Sequence, residues 1–156
     1  MLTLVAAGLI MVAALAWRSG FWTSDRTTAV TIAVLPFAQY TNVEADKLLA
    51  ARLTDGITSE LARLGPVRVV SHTSARQFAG VRRPLREIAK TLDANIIVEG
   101  SIETKLASVR VSARMVDGAT DRKIWVRDFN GSTSALSELQ REIAASIAAA
   151  LVARHP

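Results

Sequence analysis

The chain has 156 residues, of which 50% are hydrophobic and 21% charged, and its mean hydropathy of +0.26 is high for a soluble domain. It contains no cysteine, which excludes a disulfide scaffold, a cysteine-ligated metal site and a thiol nucleophile. The apolar content excludes a disordered chain, and the formal net charge of +5 permits contact with nucleic acid or an anionic membrane without requiring it.

An apolar segment opens the chain. No charged residue occurs between Leu2 and Trp17, and a helix that continues to residue 22 would be about 30 Å long, which matches the hydrocarbon thickness of a bilayer. We therefore predict a single transmembrane helix over residues 1–22, followed by a polar linker over residues 23–29.

Two other interpretations of this segment stay open. A cleaved signal peptide would use Ala14-Leu15-Ala16 as its cleavage site, although no basic residue precedes the apolar run. A buried core helix would need a polar face, and this segment has none. The positive-inside rule, applied to Arg18 and Arg26, favours a cytoplasmic location for the chain that follows.

From residue 30 onwards the hydrophobic pattern predicts alternating strands and helices. The apolar run from Val30 to Phe37 is typical of a central strand that is covered on both faces and stopped by Pro36. Apolar residues then recur every three or four positions from Asn42 to Leu64, which predicts an amphipathic helix. Val67 to Ser71 is predicted as a second short strand.

The middle of the chain predicts two short helical segments. Thr73 to Gly80 has room for one helical turn. Pro84 is expected at the first position of a short helix whose apolar face runs from Leu85 to Leu92, because proline fits the first turn of a helix.

Three strands and a helix complete the predicted domain. Asn95 to Thr104 and Lys123 to Phe129 are predicted as strands, and between them Val109 to Met115 alternates apolar and polar residues, which indicates one wet face. Ser134 or Ser137 is expected to cap the last helix, the latter in a capping box with Gln140.

The fold class that follows is α/β, with the order β-α-β-α-β-β-β-α. Early crossovers and a late run of strands imply a mixed β-sheet with packed helices, preceded by a single transmembrane helix. The predicted organisation is an anchor over residues 1–22, a linker over 23–29 and an α/β domain over 30–153.

Few residues suit catalysis. His72 directly follows Ser71, and neighbours on a strand point to opposite faces, so the two do not form a dyad. Glu99 and Glu103 would lie about 13 Å apart on one strand face, which is too far for a glycosidase acid/base pair, and we expect them on a solvated face. Gly56, inside the first helix, is expected either to permit close packing on the sheet or to expose a backbone group to a ligand.

No metal-ligand, nucleotide-binding or nucleophile pattern is present in the sequence. We therefore predict a protein that is not an enzyme, with no catalytic, cofactor-binding or metal-binding residues and no cofactor. An enzyme with an unrecognised site is the remaining hypothesis of that kind.

A basic stretch offers the candidate contact surface, together with two arginines on the predicted wet strand. Its members are Arg76, Arg82, Arg83, Arg86, Lys90, Arg110 and Arg114. These side chains would meet phosphates, acidic lipid or a protein, or they form an ordinary solvated face. Nucleic acid is the less favoured partner, because RNA readers usually add stacking aromatic residues and only Phe78 is nearby.

Several phrases, taken in order, resemble one family. They are Ile32–Phe37, Thr54–Leu61, Val67–Ser71, Arg86–Ala89, Ile97–Ile102, Val109–Val111 and Leu139–Ala144. Together they resemble the TolB-like domain, which is similar to the TolB amino-terminal domain and to the flagellar FlgO family, over about residues 30–152. Asp93 departs from the pattern, since the family usually has glycine there, and the turn around Lys105 is shortened.

The resemblance implies an α/β module that follows a single transmembrane helix and has a periplasmic, non-catalytic role in sensing or protein contact. In the family the module often lies between tetratricopeptide repeats and a cytoplasmic output domain. That output domain is commonly a winged-helix DNA-binding unit like that of CadC-type regulators, or an adenylate cyclase. This sequence carries neither an output domain nor the repeats, so we expect a fragment of a larger regulator or cyclase, or a stand-alone anchored member.

We therefore expect a bacterial inner-membrane protein whose domain lies in the periplasm and binds an envelope protein, a signalling protein or a ligand, alone or within a transmembrane signalling or transcription regulator. The alternative is a cytoplasmic-side module that binds nucleic acid or acidic lipid through the Arg-rich stretch.

Overall fold

A computed structural model describes residues 30–41, 43–65 and 67–154. These residues form an α/β unit with four α-helices, one short 3-10 turn and six strands. The strands are β1 (Thr31–Val34), β2 (Ala38–Gln39), β3 (Arg68–Val69), β4 (Ile96–Lys105), β5 (Ser108–Asp117) and β6 (Lys123–Ser132). The helices are α1 (Glu44–Arg63), α2 (His72–Arg76), α3 (Leu85–Leu92) and α4 (Leu136–Val152), and the 3-10 turn is Thr133–Ala135.

The predicted mixed sheet with packed helices is confirmed. The strand order is β3-β1-β4-β5-β6, with β1 parallel to both β3 and β4. The strands β4, β5 and β6 form an antiparallel meander. The three strands of the meander have 10 residues each. The strands β1, β2 and β3 have only 4, 2 and 2 residues.

The first strand is covered on both faces, as predicted, but it ends earlier than expected. Ile32 belongs to the apolar cluster on one face and Ala33 to the cluster on the other. Pro36 has no N–H to donate to a ladder and ends the pairing, and the amide of Phe37 donates instead to Oγ1 of Thr54 in α1 at 3.1 Å. The chain then rejoins the sheet as β2, a strand that the sequence pattern did not predict.

Gly56 permits close packing, although against α4 rather than against the sheet. A Cβ at this position would collide with the side chain of Gln140. The amide of Gln140 in turn donates to the backbone carbonyl of Arg52 at 2.8 Å. This contact joins α1 to α4 across the outer layer of the fold.

The predicted cap of the last helix is wrong. Ser132 caps the 3-10 turn that precedes the helix. Its Oγ accepts a hydrogen bond from the backbone amide of Ala135 at 3.2 Å. Ala135 is the residue before α4, and no side chain caps that helix. The capping box of Ser137 with Gln140 does not form, since Gln140 is engaged with α1.

The boundaries of α3 differ slightly from those predicted. Pro84 has an extended ψ of 133° and is the N-cap rather than the first helical residue. Asp93 ends the helix in the left-handed conformation, with φ 50° and ψ 43°. Glycine favours this conformation, which gives a physical reason for the glycine that the family usually has there.

The predicted membrane anchor over residues 1–22 and the linker over 23–29 lie outside the described residues. Among the residues that are described, no helix combines the length and the apolar character that a membrane crossing requires.

Candidate binding surface

The two faces of the sheet are covered unequally. On one face α1 and α4 form a large buried cluster with β1, β4, β5 and β6, which includes Leu53 and Ile143. On the other face α2 and α3 form a smaller cluster, which reaches only Ala33, Ile97 and Val116 in the sheet. Beyond that cluster, the second face of β4, β5 and β6 carries polar side chains, and we call this region the open sheet face. Its members are Glu99, Ser101, Glu103, Arg110, Ser112, Arg114, Val126, Asp128 and Asn130.

An ion pair occupies the part of the open sheet face nearest to α3. Glu99 lies beside Arg114 in the register, and Nε of the arginine donates to Oε1 of the glutamate at 2.6 Å. Their side chains keep 23% and 39% of their exposure. The expectation of a solvated face therefore holds for Glu103, which is exposed, while Glu99 is partly covered and paired.

Two further cross-strand bonds continue the pattern across β5 and β6. Oγ of Ser112 donates to Oδ1 of Asp128 at 2.6 Å, and Nε of Arg110 donates to Oδ1 of Asn130 at 3.3 Å. Cross-strand pairs of this kind contribute roughly 0.2–1 kcal/mol each. Together with the pair of Glu99 and Arg114, they join three pairs of polar side chains across the strands, and all of these side chains stay at least partly exposed.

The predicted contact residues all belong to the elements on this second side of the sheet. Arg110 and Arg114 lie on the open sheet face, Arg86 and Lys90 on α3, Arg76 at the end of α2, and Arg82 and Arg83 in the connection between those helices. Arg83 pairs with Glu87 at 3.0 Å. The remaining helical and loop cations are exposed and make no ion pair within the described ranges. All of the predicted contact residues thus lie on one side of the sheet. Two of them, Arg110 and Arg114, already donate hydrogen bonds to side chains on neighbouring strands.

A shallow depression of about 450 Å³ lies where α3 ends against the turn between β5 and β6. Arg86 and Lys90 line one side of it, and Asp117 and Gly118 line the other. The backbone of Gly118 approaches closely, because a Cβ there would lie 2.7 Å from the carbonyl oxygen of Ala94. Backbone of the turn after β5 and of the residues before β4 therefore forms part of the lining.

Asp117 is engaged by its own turn. Its carboxylate accepts hydrogen bonds from the hydroxyl and the amide of Thr120, both at 2.8 Å, and from the amide of Ala119 at 3.1 Å. The side-chain bond from Thr120 is the main cause that lowers the pKa of Asp117 below its ordinary value, and the charge of Arg154 acts in the same direction. The carboxylate therefore stays ionised and fixes the turn that forms one wall of the depression.

The residues considered for catalysis have structural partners. Ser71 is the N-cap of α2, and its Oγ accepts a hydrogen bond from the backbone amide of Ser74. Nδ1 of His72 lies 3.5 Å from Oδ1 of Asp55 in α1, where the two helices meet beside β3. No group of three or more His, Cys, Asp or Glu side chains that could hold a metal ion occurs in the part of the chain that is described.

Sequence reasoning missed the contribution of β6. Asp128 and Asn130 complete the polar rows that begin on β4 and β5. Their position was readable from the alternation of β6, in which Trp125 and Phe129 fall on the opposite face and pack toward α4. The two rings lie 6.3 Å apart between centroids.

Comparisons with known proteins agree with the fold. No family model matches the chain. The chain is 25% identical over 121 residues to a protein named "Putative adenylate cyclase 3" from Rhizobium meliloti, and the match covers 78% of this chain and 21% of that protein. The chain therefore spans about a fifth of the length of this curated relative.

Two solved structures share the architecture. TolB from Acinetobacter baumannii matches with a TM-score of 0.54 and 15% identity, over 79% of this chain and 28% of that one. Lipoprotein GNA1162 from Neisseria meningitidis matches with a TM-score of 0.58 and 12% identity, over 76% of this chain and 96% of that one. At these identities the likeness is one of fold, and it agrees with the resemblance to the TolB-like domain.

Proposed function

We propose that the chain is a membrane-anchored, extracytoplasmic binding module that catalyses no reaction and contacts an envelope or signalling protein. Residues 1–22 are the anchor, 23–29 the linker and 30–153 the binding domain. The observation that carries this proposal is the open sheet face, where hydrogen-bonded polar side chains lie on the same side of the sheet as the exposed cations of α3. A polar, solvent-accessible surface is typical of the rim of a protein–protein interface.

The charges favour a partner with an acidic surface. Arg86 and Lys90 are exposed on α3 without an ion pair in the described part of the chain. Arg114, on the same side of the sheet, donates a hydrogen bond to Glu99. Complementary charge speeds the encounter of two proteins and sets their register more than it sets affinity.

Two of the compared proteins support an envelope role. One is TolB and the other is named a lipoprotein, and both share the fold. The partial match to an adenylate cyclase supports a place within a larger signalling protein. By this proposal the domain lies in the periplasm, binds its partner there and signals that binding to the inner membrane.

Binding of nucleic acid or acidic lipid on the cytoplasmic side is the second candidate. Arg76 and Arg82, which make no ion pair with any residue that the structure describes, favour it, together with the positive-inside rule at Arg18 and Arg26. Phosphate contacts of this kind weaken steeply with salt. Retention of the purified chain on heparin at low salt, lost on substitution of Arg76 and Arg82 by glutamine, would favour this candidate over the first.

Photo-crosslinking in the native cells tests the proposed surface. Val126 lies on the open sheet face with 59% exposure, so a benzoyl-phenylalanine there replaces an apolar side chain. Ala145 is exposed on α4, on the other side of the sheet, and is the matched control. We expect a crosslinked protein from position 126 and none from position 145. Equal adducts from both positions, or none from either, would contradict the proposal.

Charge reversal tests the role of α3. Arg86→Glu combined with Lys90→Glu should abolish the adduct formed from position 126. Arg52→Glu combined with Arg141→Glu changes the same charge on α1 and α4 and should leave it intact. An adduct that survives the first pair of substitutions would refute the acidic-partner argument.

A further inference from the structure

The first residues of the parallel strands lie at one end of the molecule. β1, β3 and β4 run in the same direction and begin at Thr31, Arg68 and Ile96. β5 returns to this end at Asp117, and β6 leaves from it at Lys123. We call this the strand-start end, and the opposite one, with the turn between β4 and β5, the hairpin end.

Exposed basic side chains gather at the strand-start end. They are Arg63 at the end of α1, Arg68 on β3, Arg86 and Lys90 on α3, Arg122 and Lys123 at β6, and Arg154 after α4. Arg63 pairs with Glu60, and the others make no ion pair among the residues that the structure describes. Solvated cations without partners are available to an external anion.

The carboxylates at this end neutralise the cations only in part. Asp93, Asp117 and Asp121 also lie here without an ion pair in the described part of the chain, and their three negative charges leave the six unpaired cations in excess. Two exposed apolar side chains, Leu64 after α1 and Val152 in the last turn of α4, lie at the same end with 47% and 64% exposure. Basic side chains with interspersed apolar ones are what a surface needs to meet lipid headgroups.

The chain enters the domain at the strand-start end, since Val30 immediately precedes β1. The step that follows rests on the proposed function. A linker over residues 23–29 reaches at most about 25 Å, so an anchor over residues 1–22 would hold this end close to the bilayer. Tethering raises the local concentration of headgroups, and weak charge attraction then becomes sufficient for docking.

We propose that the strand-start end docks on the anionic phospholipid surface of the membrane that holds the anchor. The strands then run away from the bilayer, so the open sheet face stands clear of the lipid and the hairpin end lies farthest from it. Arg86 and Lys90 border both the docking end and the proposed protein surface, so they cannot separate the two. Arg122 and Lys123 make contact in this arrangement but take no part in the proposed protein surface, so they test docking separately from partner binding.

Fluorescence quenching in vesicles tests the proposal on the full chain, which has no cysteine of its own. Ala119→Cys places a probe in the turn at the strand-start end, and Ala107→Cys places one at the hairpin end; both alanines are exposed. Each labelled protein is reconstituted into vesicles of phosphatidylcholine, or of an equal mixture with phosphatidylglycerol, that contain a headgroup spin label. We expect quenching at position 119 in the anionic vesicles only, reversed by salt, and none at position 107.

Charge removal supplies the quantitative arm. Arg122→Gln with Lys123→Gln should lower the ratio of docked to undocked domain by about 30-fold, since each basic residue near an anionic surface favours binding about fivefold. Lys47→Gln with Lys105→Gln removes the same charge toward the hairpin end and should have no effect. Equal quenching at both probes, equal quenching in both vesicle types, or no loss in the first pair of variants would overturn the proposal.

Alkaline carbonate extraction of the same vesicles separates the two proposals. A chain that resists extraction but shows no preference for anionic vesicles refutes docking and leaves the anchor standing. A chain that is released refutes the anchor, and docking with it, because the tether is what brings the headgroups near.

Discussion

Asp93 ends α3 at a position where an aspartate side chain is unfavourable for two reasons. Its φ of 50° is in the left-handed region, which costs an L-residue about 1 kcal/mol or more relative to glycine. Its carboxylate follows the last turn of the helix, where the helix dipole disfavours a negative charge by about 0.3–1 kcal/mol. No hydrogen bond from its side chain compensates within the described residues.

Asp93→Gly should therefore stabilise the domain. Relief of the backbone and of the charge is offset by the greater freedom of glycine in the unfolded chain, about 0.4–1 kcal/mol. The net gain should be about 1 kcal/mol, which corresponds to a rise in Tm of about 4 °C for a domain of this size. Thermal unfolding of the full chain in mild detergent, followed by circular dichroism, measures it.

Two companion variants separate the causes. Asp93→Asn removes the charge and keeps a side chain that tolerates the left-handed region as aspartate does, so it should gain about 0.3–1 kcal/mol from the charge alone. Asp93→Ala removes the charge but keeps a Cβ in the strained conformation, and it should gain less than glycine. A glycine variant no more stable than the alanine variant would refute the backbone argument.

Three further predictions concern the surface and the depression. Gly118→Ala should cost roughly 1–3 kcal/mol of unfolding free energy, because the added Cβ meets the chain before β4, as urea titration would register; an unchanged midpoint would contradict the packing. Glu99→Gln and Arg114→Gln, combined in a double-mutant cycle, should show a coupling of about 1 kcal/mol or less, since the pair is only partly covered; additive effects would mean that the ion pair does not hold in solution. The lowered pKa of Asp117 contributes stability that is present above its unfolded value and lost as pH falls through the folded one; Asp117→Asn should flatten that acid limb, and an unaltered profile would refute the assignment.

The sequence predicted the elements in which one periodicity extends over many residues. The alternation around Arg110 and Arg114 located β5 and its wet face, and the apolar spacing from Leu136 to Leu151 located α4. A periodicity that extends over many residues shows which face of the element is buried. The pattern did not predict β2, which has two residues and follows the proline that ends the first apolar run.

The caps and the surface depended on contacts between distant segments. Ser137 and Gln140 have the spacing of a capping box, but Gln140 bonds to α1, 88 residues away in sequence. In the same way, the basic stretch was readable as a set of charges, while its position beside the open sheet face required the order of the strands. The partners of Arg114 and Ser112 lie on other strands, and local patterns carry no information on which strands are adjacent.

Membrane topology is the decisive measurement for the proposed function, which requires an anchored domain outside the cytoplasm. Alkaline phosphatase in one fusion and a green fluorescent protein in another, each joined after Pro156, report the side of the membrane in bacterial cells. We expect phosphatase activity without fluorescence. Fluorescence without phosphatase activity would place the domain in the cytoplasm, contradict the envelope role, and favour the phosphate-binding alternative.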